Sequence, residues 1–117
     1  MIFDEKELLK YTEEDSELSS ELLQMAYQDI PEFLNRAIVE REQAQYVISS
    51  EYLHKIKGIA ACIGAISIFS LSTEMEMQIK SVENGSFFDA HIEKISEAVS
   101  CFFLDPAVLK YLIPSDV

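Results

Sequence analysis

Leu23, Ala26, Ile30, Phe33 and Ala37 recur in steps of three and four. Ile68, Leu71, Met75, Ile79 and Val82 repeat the pattern, and Phe88, Ile92, Ile95, Val99 and Phe102 repeat it again. Each helical residue turns about 100° from the last, so this spacing lines apolar side chains along one stripe of a helix. No long alternating run competes with it, and valine and threonine are sparse. Stripes of this kind bury against one another as an all-α, antiparallel four-helix bundle. Three glycines and three prolines in 117 residues leave few places to interrupt it.

The boundaries follow from local chemistry. "FDEKELLKY" reads as a short leading helix with Asp4 near its cap. A long helix is expected from about residue 15 to 44, bent or locally broken near Pro31, which removes one backbone hydrogen bond. A third covers about 47 to 63, and Gly64 suits the left-handed position at its end. Ser67 is the expected cap of a fourth helix running to about Val82. "ENGS" (83–86) reads as a turn, with Ser86 capping a fifth helix that ends near Leu104 and Asp89 three residues on. Asp105 and Pro106 then fit the N-cap and first position of a short terminal helix. The whole is one domain over 1–117, with a core at about 3–104 and a tail at 105–117.

The net charge of −12, with acids far outnumbering bases in residues 1–42, would repel a phosphate backbone, so nucleic-acid binding is disfavoured. No stretch is long and apolar enough to span a bilayer, and the N-terminus lacks the basic-then-apolar order of a signal peptide. The expectation is a cytoplasmic protein. Cys62 and Cys101 lack metal-ligand spacing and read as small reduced core residues.

One segment departs from the acidic pattern: "YLHKIKGIAACIGA", residues 52–65, whose charges are Lys55 and Lys57. On a helix, Leu53, Ile56, Ile59, Ala60 and Ile63 cluster on one side. His54, Lys57, Gly58 and Ala61 cluster on the other, with Ser50 beside them. His54 therefore projects outward, Lys57 is one turn along, and Gly58 is its nearest neighbour at i+4. A glycine there costs roughly 1 kcal/mol of helix stability against alanine. Together Gly58, Ala61 and Ser50 leave the imidazole above a nearly bare backbone that a second protein could approach. An imidazole is a good nucleophile near neutral pH. Were a phosphoryl group carried on its Nε2, Lys57 would be a counter-charge for the phosphate oxygens. His91 lacks such neighbours and reads as a residue at the border of the core.

The segment "HKIKGIAACIGA" resembles the phosphoacceptor motif of histidine-containing phosphotransfer (HPt) domains of bacterial phosphorelays. In that family the histidine is followed by lysine at +3, glycine at +4, and glycine and a small residue at +10 and +11. Here those are Lys57, Gly58, Gly64 and Ala65. Ile68, Leu71, Met75 and Glu76 match the aliphatic positions and the apolar–glutamate pair that follow. The resemblance covers about residues 3–104. Leu53 stands where a small residue is common, and Ile59 where serine or alanine is usual.

The resemblance implies a phosphocarrier and not an enzyme. His54 would take a phosphoryl group from the aspartate of one receiver domain and pass it to another. Lys57 would supply the counter-charge, and Glu76 at +22 would orient the imidazole through Nδ1–H. Gly58, Ala61 and Ser50 would form the docking face. Partners would be receiver domains of hybrid histidine kinases and response regulators. The protein would be a monomer with no cofactor of its own, the Mg²⁺ residing on the receiver. The chain carries no phosphate-cradling loop or nucleotide motif. An alternative is an acidic helical adaptor that binds a partner without phosphoryl chemistry. A hydrolase or metalloenzyme is disfavoured, because no second ligand sits at metal spacing from His54.

Overall fold

The structure is a computed structural model that describes residues 2–79 and 85–113. Its helices are α1 (Glu5–Tyr11), α2 (Ser16–Glu42), α3 (Tyr46–Ile63), α4 (Ile66–Gln78), α5 (Gly85–Leu104) and α6 (Pro106–Leu112). Helices α2 to α5 form the antiparallel four-helix bundle, with α1 against α3 and α6 against α2 and α5. The 27 residues of α2 span about 40 Å at 1.5 Å per residue, which accounts for most of the long axis of 49 Å.

The core is the three stripes plus the inner face of α3. Leu23, Ile30, Leu53, Ile56, Ile68, Met75, Ile95 and Phe102 are almost wholly shielded from solvent. Fully burying one such side chain stabilises by about 1.5–3 kcal/mol. Hydroxyls tie the elements where aliphatics cannot. Buried Ser49 donates from α3 to the Ala37 carbonyl of α2, and Thr12 and Ser19 share a hydrogen bond of 2.8 Å across the α1–α2 turn.

Asp4, Asp15 and Asp105 cap α1, α2 and α6 through their side chains, and Pro106 opens α6. Helix α2 runs unbroken through Pro31, so the expected local break is absent. The expected Ser67 cap is absent too. Helix α4 starts at Ile66, and no side chain caps it. Its first N–H donates instead to the carbonyl of Ile2, 3.2 Å away, so a distant segment removes the need for a local cap. Helix α5 already includes Gly85, which places Ser86 inside the helix and not before it. Helix α4 ends at Gln78, while Val82 and the first two residues of the "ENGS" turn lie outside the described residues.

The corner between α3 and α4 holds the N-terminal segment. Gly64 has φ 73°, the left-handed region, and its carbonyl accepts from Asp4 N–H at 2.8 Å. A Cβ at Gly64 would collide with the Asp4 carbonyl oxygen. Phe3 is buried against the corner, forms a bridge with Ala65 and packs edge-on to Phe102 at 5.5 Å. Lys110 of α6 pairs with Glu5 of α1 at 2.8 Å, a hydrogen bond that raises the lysine's pKa above its ordinary value.

Three residues sit differently from expectation. Cys101 is exposed and Cys62 half-buried, so neither is a core thiol. Cys101 lies off the stripe that buries Val99 and Phe102. His91 is buried, not at the border, because Phe88 at i−3 and Ile95 at i+4 lie on the same stripe. Its burial is tolerated because both ring nitrogens are bonded. Nδ1 lies 3.0 Å from the Phe87 carbonyl oxygen, and Nε2 lies 2.7 Å from a carboxylate oxygen of Glu74.

Candidate functional site

Helix α3 turns Leu53, Ile56, Ala60 and Ile63 into the core and His54 outward near its middle. The imidazole is 67% exposed. Gly58 and Ala61 are exposed beside it, and nothing lies within 4 Å of where a Gly58 Cβ would stand. Ser50 is half-buried, with its hydroxyl donating to the Val47 carbonyl at 2.8 Å.

Helix α4 packs antiparallel to α3 and brings Glu76 to the histidine. Glu76 Oε1 accepts from His54 Nδ1–H at 3.0 Å. A carboxylate only accepts, so Nδ1 carries a proton, and in the neutral ring the lone pair is then on Nε2. The other oxygen, Oε2, lies 3.3 Å from Lys57 Nζ. That atom is shut from solvent and accepts no well-aligned hydrogen bond among the described residues, so the lysine meets it as a charge contact and not as a directed bond. His54, Lys57 and Glu76, read from the sequence as separate candidates, thus form one connected triad. The Lys57–Glu76 contact is the part that sequence reasoning missed.

Grooves open between the helices of the described residues. One, about 360 Å³ in volume, opens beside Gly58 between α1, α2 and α3. Its walls are mostly apolar and include Tyr11, Met25, Phe33, Ile59 and Cys62, with Lys55 and Asp29 also on them. A larger groove of about 780 Å³, between α2, α5 and α6, contains none of the triad and no nucleophile apart from the Tyr27 and Ser100 hydroxyls. The smaller one is the groove continuous with the histidine face. Among the described residues no cluster of three His, Cys, Asp or Glu side chains could hold a metal ion, and no helix is long and apolar enough to cross a membrane.

No protein-family model matches the chain, and no curated protein does. Among solved structures, it is similar to the HPt domain of a sensor hybrid histidine kinase from Shewanella, with a TM-score of 0.69 at 18% identity. The match covers 95% of this chain and 93% of that domain. The fold is of the HPt type. In this HPt-type fold, the outward histidine of α3 and the glutamate of α4 come from adjacent antiparallel helices.

Proposed function

We propose that the protein is a phosphocarrier that accepts a phosphoryl group on His54 from the phosphoaspartate of one receiver domain and passes it to the aspartate of another. The observation that carries this reading is the Nδ1–H hydrogen bond to Glu76, which in the neutral ring selects the tautomer with its lone pair on Nε2, on an open helix face. The Nε2 lone pair attacks phosphorus, an N–P bond forms, and the P–O bond to the aspartate breaks to release a carboxylate. The ring becomes cationic, with Nδ1–H retained, and the Glu76 carboxylate offsets that charge. Lys57 then turns from Glu76 to the phosphate oxygens, a charge-assisted contact. A receiver would dock over Gly58, Ala61 and the apolar groove beside them, supplying the acidic residues and the Mg²⁺ that this chain does not provide.

An acidic adaptor would have no use for a fixed imidazole tautomer. The direct test is to incubate the protein with phosphoramidate and with a panel of phosphorylated receiver domains. Acid-labile, alkali-stable phosphate on His54 is expected, lost in His54→Gln and chased off by an unphosphorylated receiver. A folded protein that takes no label from any donor would sink the proposal.

A further inference from the structure

Lys55 stands apart from the other lysines of the site. Lys57 is engaged by Glu76 at 3.3 Å, but no carboxylate pairs with Lys55 among the described residues. Its ammonium lies 5.4 Å from the Phe33 ring centroid and 5.3 Å from that of Tyr52. Those rings, 5.9 Å apart and tilted by 38°, bridge α2 and α3. Both distances fall within the roughly 6 Å at which a ring face attracts a cation. The rings therefore draw the ammonium towards them without neutralising it. That place is the wall of the apolar groove beside Gly58. In a chain of net charge −12, an unneutralised cation on the wall of an apolar groove is an uncommon recognition feature. The groove's one other charged lining residue is Asp29, on the α2 wall, which does not reach Lys55.

We propose that Lys55 is a partner-selecting residue, whose ring-held ammonium pairs with a carboxylate on the docking face of the receiver while an apolar side chain of that receiver fills the groove. This rests on the phosphocarrier reading of His54 and adds which receivers the site accepts: those with a carboxylate beside an apolar anchor. Receivers with a basic residue at that point meet like charge and are rejected. A charge at an interface rim acts chiefly on association rate and on its salt dependence. Lys55 touches neither Glu76 nor the imidazole and has no part in the chemical step.

The experiment measures phosphoryl transfer to His54 under kcat/KM conditions from a receiver that labels the wild-type protein, at low and high salt. Lys55→Glu is expected to slow transfer about tenfold at low salt. The deficit should shrink as salt rises from about 0.05 M to about 0.5 M. Lys55→Arg should retain most of the wild-type rate. Lys94→Glu on α5 changes the net charge equally and should leave the rate alone. Tm measurements confirm that each variant is folded. A Lys55→Glu rate equal to wild type at low salt overturns the proposal. So does an equal loss in Lys94→Glu, which would mean bulk charge, or a salt-independent loss not rescued by arginine, which would mean lost packing. Failure of the phosphocarrier reading looks different, since the wild-type protein would then accept from no receiver at all.

Discussion

Lys57 would have two tasks in the proposed transfer. It faces Glu76 in the bare protein, and it would turn to the phosphate once the histidine is loaded. Lys57→Ala should leave the fold intact while shortening the lifetime of phosphohistidine or slowing its formation by about five- to 150-fold, equivalent to roughly 1–3 kcal/mol for a hydrogen bond to a charged group. Equal lifetimes and rates would remove the lysine from the mechanism. Gly58 makes a second test possible. Nothing lies within 4 Å of where a Gly58 Cβ would stand, so Gly58→Gln is seated without a clash at its Cβ, and the helix gains roughly 0.5–1 kcal/mol. The variant should melt no lower than wild type and still accept phosphate from phosphoramidate, yet accept it slowly from a receiver. Equal losses with both donors would mean that the histidine itself is damaged. His54 and Lys57 were legible in the sequence because a helix of known period fixes which side chains share a face. Glu76 was not legible from the residues, since nothing local shows which helix lies beside α3. It was placed only through the family resemblance, and the 3.0 Å contact now supports that placement.

At the scale of elements, helix interiors were readable and helix beginnings less so. The stripes of α2, α4 and α5 gave the buried faces, while Ser67 and Ser86 were misread as caps. A capping serine is one way to satisfy the first N–H groups, and a carbonyl from a distant segment is another. In α4 the Ile2 carbonyl takes that part. His91 was placed too far out for a related reason, because its partner Glu74 belongs to a different helix. The α3–α4 corner supplies the prediction here. Gly64→Ala would put a β-carbon into left-handed backbone, costing about 1–2 kcal/mol. It would also collide with Asp4, which adds to that. The urea midpoint should fall by the equivalent of more than about 2 kcal/mol at an unchanged slope, while Gly58→Ala in the same assay is neutral or stabilising. An unchanged midpoint would mean that Asp4 does not close on the corner.

For the whole molecule, the unbalanced charge bears on stability. At −12, self-repulsion works against the compact state. Raising sodium chloride from about 0.02 M to about 0.3 M shortens the Debye length and should raise Tm. A Tm that falls over this range would show that attractive pairs such as Lys110–Glu5 outweigh the repulsion. The composition made this acidity plain. It could not show where the apolar grooves lie, because a groove is a gap between helices and has no signature along any one of them.

Phe3 against Phe102 has a consequence for the order of events in folding. The ring of residue 3 waits for the ring of residue 102, so the contact closes a long loop. On the ribosome α1 has no complete place to rest until α5 has emerged. The helices of the bundle can meet through short connections first. Phe3→Leu should then speed unfolding while scarcely changing the refolding rate, the kinetic mark of a contact made after the barrier. A refolding rate that drops in step with stability would instead place this latch within the nucleus.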